Sequence, residues 1–522
     1  MTTNIPANQM RQLRWVPWLL VIGLVAWYLW RGQSRVTATD QHLGDFRHFF
    51  WGAEAVWHGD NPYLEGAKHL EMDGRPVEVD AYDAAWTSPL PPTALANGLP
   101  CVNGALTRVG DHRIAVKGEQ WDTEVILIDK DIIRLNGKLA MLHDLQPGMT
   151  IFTNGRPERN GYIYPPLLAF CYSPLTPLGI TNAARVVVEV DVLLLFGGIF
   201  FLGLAVMEAF GPPPGMDRVF VLGVLMAITC ILGWDRIKSE IQMLQSNSTV
   251  FFMWSLGFYL LRKRPFAAGL ALGFAFNVKY VVIASLPYLL LRRQWKAAAG
   301  MVTGIAFWGM LPALLVGPGR EIGYLKTAYG GILRLLGVPL AGDSADVEPL
   351  ASGFSFSIPS GLARSFAWHN LDWNPMTVTA MIGVVWVLGM VGAYLWFGAP
   401  FMGRMRDGAL AAAEYAALIG VTLALSPQAG PRHALMTIGL CTVGTALIWF
   451  RPIGWLKWPV AATLLTVTFG MSWPPGNGTG VFTGLAGFWQ WAGMPYWCVL
   501  FGCTVVPLVA LYARRALAGG SK

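Results

Sequence analysis

The chain has 522 residues, of which 54% are hydrophobic and 13% charged, with a net charge of +7 and a mean hydropathy of +0.45. A water-soluble fold carries about 25% charged residues, so this balance excludes an ordinary soluble globular protein. The basic residues sit between apolar runs, as in cytoplasmic loops, which argues against nucleic acid as a partner. Six cysteines with no CxxC and no paired His indicate neither a disulfide framework nor a zinc site.

The first apolar run, Trp15–Trp30, lies between Arg11 and Arg14 on one side and Arg31 and Arg35 on the other. No small-residue cleavage site follows it, so it reads as an uncleaved first span with its N-terminus in the cytoplasm. Next, Phe46, Phe49, Phe50, Ala53, Val56 and Trp57 recur at helical spacing. That spacing predicts an amphipathic helix lying at the membrane surface. Asp45 stands at its start, where it serves either as the helix cap or as a base that takes a proton from an attacking hydroxyl. These parts make a first region, 1–65.

The texture then changes over residues 66–160. Within 101–156, short β-rich runs such as Arg113–Val116, Thr123–Ile128 and Met149–Thr153 are bounded by turn residues, and Val109-Gly110-Asp111-His112 reads as a hairpin turn. The expectation is a small five-strand barrel or curled, OB-like sheet inserted in the first extracytoplasmic loop. Residues 161–522 then form a transmembrane bundle with outer loops.

Basic clusters set the topology: Arg262–Lys263–Arg264, Arg292–Arg293 with Lys296, Arg404 with Arg406, Arg451 with Lys457, and Arg514–Arg515. Placing each in the cytoplasm gives about twelve spans, with both termini inside. Residues 265–291 must then cross twice, which is too short for two full spans, so they read as a re-entrant pair meeting near Lys279. Tyr164–Leu178 is apolar but holds four prolines, and parity makes it a half-helix or interfacial segment. Both places are candidate cavity walls, because interrupted helices at membrane depth persist where they line one. The predicted fold is thus an all-α polytopic membrane protein with a small β insert.

Several motifs, in order, resemble glycosyltransferase family 87, a set of polyprenyl-phosphate-sugar transferases of the GT-C type. They are Asp45 with Gly59-Asp60-Asn61-Pro62-Tyr63, Tyr164-Pro165-Pro166, Gln245-Ser246-Asn247, Asn277-Val278-Lys279, Ser355-Phe356-Ser357 with Arg364, and Ser426-Pro427 with His433. The sequence departs from the pattern at Leu244, where a glycine is usual before the Gln. It departs again in the Ser-rich segment, and in the β insert that separates Tyr63 from Tyr164.

The resemblance implies transfer of a sugar, mannose before arabinose, from a polyprenyl phosphate to an acceptor hydroxyl on a glycolipid, glycan or protein. It places the reaction on the outer face of a bacterial inner membrane and inverts the anomeric centre. Asp45 would be the base. Lys279 and Arg364 would offset charge on the leaving phosphate, with His433 as a hydrogen-bond donor and Gln245, Asn247, Tyr63 and Tyr164 lining the substrate site. No metal and no cofactor is expected.

For Lys279 the competing expectation is snorkelling to the interface. Arg236 and Lys238 read as a solvated loop. Other functions open to the same composition are a glycolipid transporter or flippase, although no symmetric pair of halves is visible, and a membrane scaffold presenting the β domain.

Overall fold

The computed structural model describes residues 13–38, 46–58, 62–63, 162–212, 215–335, 338, 350–351, 355–404, 406–427, 429–472 and 484–519, together with strands and one turn between 71 and 157. The chain divides into two compact units. One holds residues 47–163 and 169–176, and the other holds the rest.

In the smaller unit, helix α2 (Phe46–His58) follows α1 (Val16–Ala38) of the larger unit. The expected apolar face is buried at Phe49, Phe50, Ala53 and Val56, whereas Trp57 is half exposed. The strands are β1 (Glu71–Met72), β2 (Arg75–Pro76), β3 (Val102–Val109), β4 (Arg113–Lys117), β5 (Asp122–Ile126), β6 (Ile133–Leu135), β7 (Lys138–Ala140), β8 (Thr150–Thr153) and β9 (Arg156–Pro157). β1 pairs with β2, and the other seven form one antiparallel sheet in the order β7-β6-β8-β3-β4-β5-β9. The three expected β-rich runs coincide with β4, β5 and β8. β3 and β4 are antiparallel neighbours with Val109 opposite Ile114, and residues 110–112 of the expected turn lie outside the described residues. The five-strand barrel is corrected to a seven-stranded sheet, and among the described residues no pairing closes its ends.

The larger unit is helical. After α3 (Pro166–Tyr172) and a 3₁₀ turn, of which residues 169–176 belong to the smaller unit, come α4 (Gly179–Phe210), α5 (Arg218–Leu232), α6 (Trp234–Met243), α7 (Asn247–Leu260) and α8 (Pro265–Val278). A second 3₁₀ segment (Tyr280–Ala284) leads to α9 (Ser285–Leu291), α10 (Trp295–Met310), α11 (Ala313–Val316), α12 (Pro318–Leu335), α13 (Ile358–Trp368) and α14 (Pro375–Trp396). The chain continues through α15 (Gly408–Ala424), α16 (Ile438–Phe450), α17 (Lys457–Ser472), α18 (Gly484–Trp491) and α19 (Met494–Gly519).

Helices occupy the long apolar runs from which about twelve spans were expected. Five helical stretches among the described residues are long and apolar enough to cross a membrane: 166–210, 295–316, 375–396, 432–450 and 494–517. The bent pair α5–α6 makes a sixth if it is one span; its halves meet at 71°. The shorter apolar helices α8, α15 and the 280–291 segment do not reach that length. The expected half-helix at 164–178 runs on into α4 as one 45-residue helical stretch, turning at Gly179 with φ 72°. These apolar helices make the chain a membrane protein.

Residues 265–310 fold in a way that fixes the site. Along α8 and α10 the contacts rise together: Phe266 with Gly300, Gly269 with Ala297 and Met301, Gly273 with Gly304, and Asn277 with Gly309. The two helices are therefore parallel, and residues 279–294 must run back between them. The chain reverses at Lys279. The 14 residues of α8 span roughly 21 Å, short of the ~30 Å hydrocarbon core, so the pair does not make two full crossings. Gly269-x₃-Gly273 and Gly300-x₃-Gly304 let the backbones touch. A Cβ added at Gly269 would lie 2.1 Å from the Ala297 carbonyl oxygen. Small residues at four-residue spacing are a recurrent solution to close helix packing in lipid.

Candidate functional site

Lys279 is the one residue between α8 and the following 3₁₀ segment, and its backbone is extended (φ −148°, ψ 132°). Its side chain is 5% exposed. The ammonium donates to Asn247 Oδ1 at 2.7 Å and Gln245 Oε1 at 3.2 Å, and it lies 5.2 Å from the centre of the Tyr164 ring. Four sequence-predicted residues, Lys279, Gln245, Asn247 and Tyr164, are thus brought together. Snorkelling is not what Lys279 does.

The turn between α6 and α7 presents the two amides. Leu244 adopts the left-handed conformation (φ 49°, ψ 54°) and ends α6. This is the position at which the family resemblance leads one to expect glycine. For an L-residue the conformation costs roughly 1–2 kcal/mol, offset here by burial of the leucine side chain.

Behind the amides stand two carboxylates that the motif reading missed. Asn247 Nδ2 donates to Glu240 Oε2 at 2.8 Å, and the Ser248 backbone N–H donates to Glu240 Oε1 at 2.9 Å. Ser248 Oγ donates to Asp191 Oδ1 at 2.7 Å, while Asp191 Oδ2 has no hydrogen-bond partner among the described residues. Glu240 and Asp191 are fully buried. A signal for Asp191 was present, because an ionisable residue inside an expected span is a functional hypothesis by default. Arg236, expected in a solvated loop, is instead buried on α6 and donates to the Val467 carbonyl at 2.7 Å.

The 427–433 loop joins this network to the Ser-rich segment. Asn247 Nδ2 also reaches the Arg432 carbonyl at 3.3 Å. The Gly430 N–H donates to His433 Nδ1 at 3.1 Å, which leaves the proton of a neutral imidazole on Nε2. The Ala429 N–H donates to Ser355 Oγ at 3.1 Å, and Ser360 Oγ donates to the Pro427 carbonyl at 3.2 Å. Ser355, Ser357 and Ser360 form a closed ring of buried hydroxyls, with Ser357 capping α13.

Arg364 lies on α13 and donates to the carbonyls of Trp491 (2.8 Å), Ser355 (2.9 Å) and Gln490 (3.2 Å). Its guanidinium clasps backbone, and burial lowers its pKa to about 10. Tyr63 lies in the smaller unit, where its ring is 5.5 Å from that of Tyr162. Asp45 lies outside the described residues.

An ammonium fixed by two amide oxygens, with carboxylates behind them, is a held positive charge in low-dielectric surroundings. It suits an anion that develops during reaction. The family model for glycosyltransferase family 87 matches residues 162–427. The chain belongs to glycosyltransferase family 87. The match contains Tyr164, the Gln245–Asn247 turn, Lys279, the serine ring and Arg364; Asp45, Tyr63 and His433 fall outside it. No curated protein and no solved structure matches the chain. As a glycosyltransferase it uses a sugar donor and an acceptor.

Proposed function

We propose that this glycosyltransferase takes its sugar from a polyprenyl phosphate, with mannose the first candidate, and passes it to a hydroxyl of a glycolipid, glycan or protein. The observation that carries the reading is Lys279, a buried ammonium at the apex of a short hairpin. A lipid phosphate sharing that depth meets a fixed cation, while its tail stays among apolar helices.

In the step we propose, the acceptor oxygen attacks the anomeric carbon from the face opposite the phosphate. The bond between that carbon and the phosphate oxygen breaks, and the electron pair leaves on the phosphate. Lys279 offsets the new charge, with the Nε2–H of His433 as a second donor. The acceptor proton goes to Asp45, and the configuration inverts. The donor's lipid nature, the wide first outer loop and the distribution of basic residues support an outer-face reaction at a bacterial inner membrane.

The test is sugar transfer by purified protein in detergent, offering polyprenyl-phosphate mannose and a membrane lipid extract. Wild type, Asp45→Asn and Lys279→Met are compared. Transfer by wild type with loss in both variants supports the reading. Full activity in Asp45→Asn removes that residue as the base, and full activity in Lys279→Met removes the phosphate role.

A further inference from the structure

Glu240 meets Lys279 through one intervening side chain. Glu240 lies on the buried face of α6 with Arg236, Ile237 and Ile241, and is 0% exposed. Its Oε2 accepts from Asn247 Nδ2 at 2.8 Å, and its Oε1 accepts from the Ser248 N–H at 2.9 Å. Both carboxyl oxygens are thus held. With Nδ2 committed to Glu240, the Asn247 amide must present Oδ1 to the Lys279 ammonium, 2.7 Å away. Turned over, the same amide would aim two N–H groups at a cation. The Arg432 carbonyl favours the same orientation from a longer distance, 3.3 Å.

A buried charge persists where an opposite charge and hydrogen bonds compensate it. Two carboxyls stand near this ammonium, and their hydrogen bonds tell them apart. Glu240 accepts from two N–H donors, one at each oxygen. Asp191 accepts from one hydroxyl, and its Oδ2 has no partner among the described residues. Donors aimed at a carboxyl favour its charged form, so the fixed negative charge belongs to Glu240. His433 and Arg432, and Tyr164 ahead of α3, also face this cluster. Of all these acids and bases, Glu240 is the one whose side chain binds Asn247.

We propose that Glu240 is a positioning residue for sugar transfer: acting through Asn247, its carboxylate keeps Lys279 a charged donor aimed at the leaving phosphate. This role rests on the lipid-phosphate donor reading and adds the residue that sets the state of its cation.

The experiment measures binding of radiolabelled bare polyprenyl phosphate to the purified full-length chain in detergent. The pH is raised from about 8, where a phosphate monoester with a second pKa of about 6 keeps its charge. Wild type should lose affinity as pH rises and Lys279 gives up its proton. A nearby carboxylate favours the ammonium, so Glu240→Gln should bring that loss to lower pH, by about one unit. Asp191→Asn should leave its midpoint in place. Lys279→Arg, which stays charged throughout, should show no such loss.

Equal midpoints in wild type and Glu240→Gln overturn the role of Glu240, as does an equal shift in Asp191→Asn. If Lys279→Arg loses affinity as wild type does, the phosphate assignment to Lys279 fails instead. Thermal unfolding then decides Glu240, and it also serves if Glu240→Gln does not fold. Removing one member of a buried charge pair strands the other, whereas removing both leaves neutral groups. The double variant Glu240→Gln with Lys279→Met should therefore be folded and more stable than Glu240→Gln alone. A double variant that is no more stable overturns the coupling.

Discussion

Asn247 stands between Lys279 and Glu240: it accepts from the ammonium at 2.7 Å through Oδ1 and donates to the carboxylate at 2.8 Å through Nδ2. A single amide thus couples a buried positive charge to a buried negative one. Truncating it strands both partners. Hydrogen bonds to charged groups are worth about 1.5–3 kcal/mol each. Asn247→Ala is expected to lower the thermal midpoint in detergent and to cut sugar transfer by at least tenfold. Unchanged stability and turnover would show that Lys279 does not depend on this bridge.

Lys279→Arg is a sharper probe than deletion. Arginine keeps the charge but presents a planar fork rather than a compact ammonium. The pocket offers one amide oxygen at 2.7 Å and a second at 3.2 Å, spaced for Nζ. The expected result is folded protein with transfer reduced roughly 10- to 100-fold, a loss of about 1.4–2.7 kcal/mol in transition-state stabilisation. Wild-type turnover by Lys279→Arg would mean that charge alone suffices.

Helix was legible where hydrophobic runs are long, but of about twelve expected spans five stretches among the described residues, or six with the bent pair, reach membrane-crossing length. The reversal at Lys279 could also be read, because basic residues bracket a mostly apolar stretch of 27 residues, 265–291, with a lysine near its middle. The second row of the site was not legible. Glu240 binds Asn247 and Ser248 across the Leu244 turn, and Asp191 meets Ser248 from 57 positions away. No periodicity encodes such pairings. Arg364 matched a motif position, yet the carbonyls it clasps near 490 belong to a segment with no motif. Arg236 misled because its neighbours Asp235 and Lys238 are polar, whereas only tertiary packing decides which of the three turns inward.

Arg364 offers a test of clasp against ligand. Three carbonyls from two segments converge on one guanidinium, which a lysine cannot reproduce. Arg364→Lys and Arg364→Ala should therefore lower the thermal midpoint similarly. A residue that binds donor phosphate would instead raise the apparent KM in both variants without moving the midpoint.

The seam between α8 and α10 should tolerate no side chain. Gly269→Ala places a methyl 2.1 Å from the Ala297 oxygen and is expected to cost about 3 kcal/mol, the upper range for overpacking. Gly319→Ala is the control, because a Cβ there meets nothing within 4 Å. Detergent thermal unfolding of the two variants should separate them clearly. Equal midpoints would contradict the packing described.

Glu321 predicts a pH dependence. Burial raises its pKa from 4.5 to about 8. A carboxyl that stays protonated in the folded protein but ionises when unfolded favours folding most at low pH. That contribution is full below about pH 4.5 and is lost as pH rises through about 8. Substrate-free wild type should lose thermal stability over this window, and Glu321→Gln should show a flatter profile across it. A steeper decline in the variant would reverse the assignment.

The shortness of the hairpin also constrains how the protein is made. A lysine at the tip of two half-length helices has no favourable place in lipid until its amide and carboxylate neighbours surround it. Gln245, Asn247 and Glu240 leave the ribosome before Lys279, so that half of the cradle can already be in the membrane. The half of the glycine seam on α10, Gly300 and Gly304, is synthesised afterwards. Insertion of residues 265–294 is therefore completed only when residues 295–310 follow, and a chain stopped between those points should leave Lys279 on the aqueous side.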